Sequence, residues 1–239
     1  MNRSEAQNAV LAERQRLRVE YQRRAQINSD LYSPWQPAEI FFKSGRKAVA
    51  AAMLNEARVF PRTRDRCLEV GCGSGGWLAD LISWGVRDSD LHGIDIDPVR
   101  IRRAKEIWSA ADLRVGDAAD LPWDDGTFSL VISSTVFTSV LDHDVRALIA
   151  NEIIRVLAPG GALLWYDFAF DNPQNPHVRG IGRPEIRKLF VQLAGNIRSV
   201  TLAPPLARLI VPRSWALATL LEAIPFLRTH LLAVLIKPS

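Results

Sequence analysis

Apolar and polar positions change rhythm twice along the 239 residues. Residues 4–28 are densely charged, with Val10, Leu11, Leu17 and Tyr21 loosely on one side, a helical spacing. The stretch "SDLYSPWQPAE" then breaks the pattern with two prolines. A second helix is predicted from Pro37 to about Ala57, with Ile40, Phe41, Val49 and Met53 among its apolar positions. From Arg66 onward short apolar runs alternate with helical segments. "RCLEV", "DLHGIDI", "DLRVGD", "FSLVISS" and "ALLWYDF" read as strands, and "GGWLADLISWG", "DPVRIRRAKEIW" and "HDVRALIANEIIRVLAPGG" as helices. This alternation predicts an α/β fold, a mostly parallel sheet with helices on both faces. The end differs: a short helix "RPEIRKLF", a strand "RSVTLA", an apolar stretch from Pro204 to Arg228, and a last strand "HLLAVLIKP". Two late strands without a regular crossover helix predict an antiparallel pair at the edge of a seven-stranded sheet.

Composition narrows this picture modestly. The length suits one sizeable domain. A net charge of +4 suits an anionic cofactor, substrate or membrane surface. It is not the dense basic patch of a nucleic-acid binder, and the "RQRLR" and "QRR" runs read as a solvated helix face. Cys67 and Cys72 are the two cysteines, which gives neither a disulfide framework nor a zinc cluster. The first twenty residues carry no apolar signal core, and no apolar run reaches the roughly 18 residues of a spanning helix. A cytoplasmic protein is expected.

The chemistry gathers at "CLEVGCGSGGW", where Gly71, Gly73 and Gly76 satisfy G-x-G-x-x-G between a strand and a helix. Such a loop lets backbone N–H groups approach a ligand without Cβ interference, although a tight turn alone would also use it. Asp95 ends the second strand about 20 residues further on, where a carboxylate can accept from both hydroxyls of a ribose. A dehydrogenase would show the same pair. Three features point elsewhere. Glu69, two residues before Gly71, can order the loop and receive an ammonium group. Asp117 and Ala118, after the third strand, offer a carboxylate and an N–H to an adenine edge. Tyr166 is followed four places on by Phe170, so the Tyr-x-x-x-Lys pair of short-chain dehydrogenases is missing there.

As a set, "LEVGCGSG", "GIDIDP", "GDAADLPWDDGTFSLVIS" and "VLAPGG" resemble the class I S-adenosylmethionine-dependent methyltransferases of the type 11-like group, over about Arg66 to Phe168. The resemblance implies a Rossmann-like methyltransferase fold and S-adenosylmethionine as cofactor. By the same resemblance Glu69, Gly71, Cys72, Gly73 and Gly75 meet the methionine part. Asp95 takes the ribose, Ile96 packs on adenine, Asp117 and Ala118 read its edge, and Ser133 lies near the methyl donor. Ser129 departs from the pattern, which usually has Asp after the residue matching Phe128. The flanking pieces "YSPWQPAEIFFKSGR" and "YDFAFDNPQNPHVRGI" resemble methyltransferases of bacterial surface-polysaccharide and secondary-metabolite pathways. They imply O-methylation of a hydroxyl on a sugar-containing or similar polar metabolite. Two regions are expected: a helical extension or lid over 1–60, and a methyltransferase domain over 61–239 with a helical insertion near 204–229.

Methyl transfer to a hydroxyl benefits from a base. His177, beyond the fifth strand, is a candidate base or substrate contact, and a solvated loop histidine is its alternative. His143 and Asp167 are the other catalytic candidates, while His92 and His230 read as structural. Asp171, Asn172, Asn175 and Arg179 could match the hydroxyls of a polar or glycan acceptor, or could form a turn cluster. Tyr32 and Trp35 are candidate lid residues on the substrate. Asp167 and His177 match no metal spacing, so no metal is expected. For the stretch after Pro204 three readings stay open: a cap over the active site, a homodimer surface, or peripheral membrane contact through Arg208, Arg213 and Arg228. Two other functions also stay open. One is methylation of a quinone, lipid or other apolar small molecule; the other is cofactor binding without catalysis. The fourth strand ends in "SSTVF", unlike the Asn/Asp-Pro-Pro-aromatic loop for amino groups of nucleic acids.

Overall fold

The structure, a computed structural model, describes residues 3–26, 30, 33–172 and 175–239. Two helices precede the sheet: α1, Arg3–Gln26, and α2, Pro37–Glu56. Strands and helices then alternate: β1 Cys67–Val70, α3 Gly76–Ser83, β2 Leu91–Asp95, α4 Pro98–Ile107, β3 Asp112–Val115 and β4 Phe128–Ser134. After them come α5 His143–Val156, β5 Leu157–Phe168, α6 Arg183–Leu189 and β6 Ala194–Leu202. The insertion α7 Pro204–Ile210 and α8 Trp215–Glu222 leads into β7 Arg228–Ile236. The sheet order is β3-β2-β1-β4-β5-β7-β6. β1 to β5 are parallel, and β7 runs antiparallel to both β5 and β6, which makes the expected antiparallel pair at that edge.

Local chemistry sets the element ends. Asp97 caps α4 by accepting from the Val99 N–H at 2.8 Å, and Pro98 fits the first turn because its position needs no N–H partner. Asp142 caps α5 in the same way, accepting from Asp144 and Val145. One boundary differs from the sequence reading. The helix before "APGG" stops at Val156, and β5 begins at Leu157, which pairs with Phe128 ahead of an irregularity in register. Pro159 cannot donate to a helix, so the chain is already extended when it reaches Gly160 and Gly161.

Period-two burial divides the core between the two faces of the sheet. Leu68, Val70, Val131 and Trp165 face α5 residues such as Ile149 and Ile153. Cys67, Leu130, Ile132, Leu164 and Tyr166 face the other side, with Met53, Leu78 and Ile101 of α2, α3 and α4. Glu69 shares the parity of Cys67, so it enters that second side as a polar group. A smaller cluster joins Phe41 of α2 to Ala207, Val211 and Ala218, so the insertion packs on α2. Trp215 meets Phe41 edge-on at 5.1 Å between ring centres. Leu220 and Phe226 of the insertion are exposed. Among the described residues no helix is long and apolar enough to cross a membrane.

Candidate functional site

The carboxyl ends of the parallel strands open into a cleft. Its floor begins with the glycine loop after β1. Gly71, Gly73 and Gly75 all take left-handed backbone angles, with φ of 69°, 53° and 85°. Space reinforces the choice. A Cβ on Gly71 would come within 2.4 Å of the Val136 side chain, and one on Gly75 within 2.5 Å of Trp108 Nε1. The Gly71 and Cys72 N–H groups both donate to the Ile94 carbonyl, which ties the loop to the end of β2.

Asp95 ends β2 and lines the cleft. Its carboxylate accepts from the Gly73 N–H at 2.8 Å and the Asp97 N–H at 2.9 Å, so its orientation is fixed. Burial pushes its carboxyl above the ordinary range, against the pull of those donors. Ile96, Asp117 and Ala118 share the same wall, and Asp117 is held by the Ala119 N–H at 3.0 Å. Glu69 lies behind the loop and is buried. Burial pushes its carboxyl up to about 8, against the Arg46 guanidinium and the Trp77 and Leu78 N–H groups at the start of α3. Its Oε2 has no hydrogen-bond partner.

Two expected cofactor residues fall elsewhere. Cys72 turns its thiol into the core beneath Gly93, and its N–H and carbonyl are spent inside the loop on Ile94 and Gly75. Burial raises its thiol pKa, so it is a packing residue. Ser133 is buried away from the cleft, and the following Ser134 and Thr135 form its wall instead. Thr135 is held at φ 57°, a conformation that costs a β-branched residue about 1–3 kcal/mol.

α1 forms the roof, through contacts that charge patterning alone did not reveal. Val10, Glu13, Arg14, Leu17 and Tyr21 line the cleft. Glu13 is buried, accepts from the Leu141 N–H at 2.6 Å and pairs with Arg16 at 2.7 Å. Arg16 also donates to the Ser139 carbonyl. Tyr21 lies 4.6 Å from the Arg100 guanidinium, within cation–π reach. Arg16 therefore docks α1 onto the domain, where the run "RQRLR" reads as a solvated face.

The catalytic candidates are not assembled at the cleft. Asp167 is fully buried and takes the Thr138 hydroxyl at 2.5 Å, the Thr138 N–H at 3.1 Å and the Phe168 N–H at 3.0 Å. Burial pushes it up to about 6, yet its position fixes the turn after β4. His143 starts α5 and points to Arg179 and Glu185, with Nε2 2.6 Å from Arg179 Nη1. His177 faces Glu20 of α1 at 3.7 Å and stays partly exposed.

The expected substrate residues are likewise turned to each other. Asp171 accepts from the Gly180 N–H, Asn175 from the His177 N–H, and Arg179 reaches His143. Asn172 is also engaged. This is the turn-cluster alternative, since none of these residues lines the cleft. Trp35 is 69% exposed, and Tyr32 lies outside the described residues. No residue of the 204–229 insertion lines the cleft either. Residues the sequence reading missed are Arg46, Arg100, Thr135 and the inward side of α1.

Comparisons with known proteins agree with this geometry. Residues 67–161 match a family described as a methyltransferase domain. The chain is 30% identical over 185 residues to norajmaline N-methyltransferase of Rauvolfia serpentina, covering 72% of this chain and 60% of that protein. It is 32% identical over 136 residues to the chloroplastic tocopherol O-methyltransferase of Arabidopsis thaliana, covering 51% and 37%. The chain thus spans less than two thirds of these relatives. A solved geranyl diphosphate methyltransferase in complex with S-adenosylmethionine superposes with a TM-score of 0.58 at 17% identity, covering 80% of this chain and 85% of that one. The chain carries the class I S-adenosylmethionine-dependent methyltransferase fold, and S-adenosylmethionine is the cofactor of that class. The residues present fit that molecule: a left-handed glycine loop that opens on the cleft at Gly71, an oriented Asp95, and an orphaned carboxyl oxygen on Glu69.

Proposed function

We propose that this chain transfers the methyl group of S-adenosylmethionine to a small, largely apolar acceptor bearing a nucleophilic nitrogen or an acidic hydroxyl. The observation that carries the donor half is the glycine cradle with Asp95 beside it. Asp95 would accept from the ribose hydroxyls, Asp117 and the Ala118 N–H would meet the adenine edge, and Ile96 would pack on its face. Glu69 would receive the α-ammonium group. The bound cofactor supplies a methyl already activated on a sulfonium, so the chain's task is to hold an acceptor in line and exclude water.

The roof suits that task. In this reading α1 acts as a lid: a polar helix with Val10 and Leu17 on its inner side, attached through Glu13, Arg16 and Tyr21. Polar attachments can be exchanged for water at small cost, so such a helix can open for cofactor exchange.

Three features favour an apolar acceptor over a sugar. Apolar side chains Val10, Leu17, Val136 and Val140 contribute much of the cleft wall. The polar loop after β5 satisfies itself. No histidine lines the cleft, and Glu13 is occupied by Arg16 and the Leu141 N–H. A sugar hydroxyl, with its very high pKa, would lack a base, whereas a neutral amine needs none and a phenol ionises far more readily. Tocopherol and geranyl diphosphate, named in two of the similar proteins, also carry hydrocarbon chains.

Incubation with methyl-labelled S-adenosylmethionine and parallel panels of hydroquinones, aromatic amines and free sugars tests this. Label is expected in the first two panels. Label confined to sugars would overturn the acceptor reading, and failure to bind S-adenosylhomocysteine would overturn the donor reading.

A further inference from the structure

A surface helix ordinarily turns polar residues to solvent, and a helix apolar all round is ordinarily buried. The insertion between β6 and β7 does neither. α8, "WALATLLE", has Thr219 and Glu222 as its polar residues, yet Ala218 is its one buried residue. Leu217 and Leu220 are 47% and 68% exposed on it. On α7, Leu209 follows the buried Ala207 by two residues, which places it on the other side of the helix, and it is exposed. Phe226, in the turn before β7, is 84% exposed. One side of the insertion therefore rests on Phe41 of α2, and the other holds leucine and phenylalanine in solvent. A continuous apolar surface of that kind marks a contact.

Charge selects the occupant. Residues 204–227 contain Arg208, Arg213 and a single acid, Glu222. Glu222 turns inward and accepts from the Leu202 N–H at 3.2 Å. Arg208 lies 4.0 Å from Glu39 of α2, and Arg228 is spent on the carbonyls of Ser199, Glu222 and Ala223. Of the three arginines expected at headgroups, Arg213 is the exposed one, and it sits beside Leu209, whose carbonyl it bonds. A second copy docked on this face would set Arg213 against its own kind, with no outward acid of the insertion to pair with. A protein groove would also have to match side chains that stand out from the surface. A bilayer needs no such match. Its acyl boundary takes leucine and phenylalanine of any outline, its interface suits Trp215, and an anionic headgroup meets the arginine.

We propose that the outer face of α7, α8 and the turn at Phe226 rests on an anionic lipid bilayer and holds the chain there peripherally. The helices are too short to cross a bilayer, so the contact lies in the interface plane. It uses no cleft residue, so it goes beyond the methyltransferase reading and does not depend on it. Place gives it a consequence. Leu202 pairs with Arg228 and Phe168 with His230, so the insertion leaves the sheet at the carboxyl end of β5. The cleft opens on that same edge, which shortens the path of an apolar acceptor dissolved in the bilayer.

Flotation with vesicles of phosphatidylcholine, alone and mixed with phosphatidylglycerol, tests the proposal, beside light scattering of the lipid-free chain. The wild-type chain is expected to float with the mixed vesicles. Leu220→Ser combined with Phe226→Ser is expected to lower that affinity at least about tenfold, the scale of withdrawing two buried apolar side chains. Arg213→Gln is expected to lower it about fivefold on mixed vesicles and to leave binding to phosphatidylcholine alone unchanged. All three positions are exposed, so the variants should melt as the wild type does, which circular dichroism checks. A wild-type chain that fails to float with mixed vesicles would overturn the proposal. So would equal flotation of the wild type and the double variant. A wild-type dimer that the double variant turns into a monomer would give the face to a second copy and overturn it too.

Discussion

The glycine cradle and the loop after β5 hold similar residue types and use them oppositely. In the cradle, the buried Glu69 and the half-buried Arg46 each keep a hydrogen-bonding atom unmet, and Asp95 faces an open cleft. In the loop, Asp171, Asn175, His177 and Arg179 find partners in Gly180, in each other, in His143 and in Glu20. Both regions lie at the carboxyl edge of the sheet, where ligands of parallel sheets bind. A polar group left with spare valences in a buried place carries a cost that a ligand can offset. A group matched by its neighbours holds the scaffold. Polar density alone does not mark a site.

Substitutions in the loop region are therefore expected to change stability and leave cofactor affinity alone. The largest effect falls on Glu185. Arg146 is fully buried and pairs with Glu185 at 2.6 Å. Glu185→Ala should cost about 2–3 kcal/mol in chemical denaturation, a buried-pair loss reduced for the partial exposure of Glu185. An unchanged denaturation midpoint would remove the scaffold role from this side of the molecule.

Glu69 should show the opposite signature. Its folded pKa is raised from 4.5 to about 8. The folded state therefore holds the proton more tightly than the unfolded chain does. That contribution is complete below about pH 4.5 and is lost as pH rises through 8. Asp167, raised to about 6, adds a decline in a lower window. Glu69→Gln should remove only the Glu69 part, so its melting temperature should gain on the wild type from pH 5 to pH 9 while S-adenosylhomocysteine binding weakens. A constant difference across that range would contradict the buried, proton-holding carboxyl.

The smallest effect is expected at His177. His177→Ala should shift stability by no more than about 0.5 kcal/mol and leave both turnover and cofactor affinity near wild type, as for an exposed position. A large loss of turnover would return this loop to the active site.

These two regions were also unequally legible in the sequence. Strands, the glycine loop and Asp95 could be read directly, because period-two apolar runs and the spacing from Gly75 to Asp95 are local patterns. Asp117 and Ala118 followed from the same motif set. The loop after β5 stayed open between two readings, because Asp171 and His177 show their type in sequence but not their partners. The inner side of α1 was hidden for a related reason. Glu13 and Glu20 occupy buried helical positions, and their cover comes from neighbouring arginines and from Leu141 and His177, both more than a hundred residues away. Patterns within one element survive reading; charge matched across elements does not.

The cradle is the proposed S-adenosyl site on which every cofactor role assigned above depends. The most direct measurement is titration calorimetry of S-adenosylhomocysteine against the wild-type chain and Asp95→Ala. Binding by the wild type is expected, with a loss of about 1.5–3 kcal/mol in the variant, the range of charge-assisted hydrogen bonds. No binding by the wild type, or equal affinity in Asp95→Ala, would contradict it.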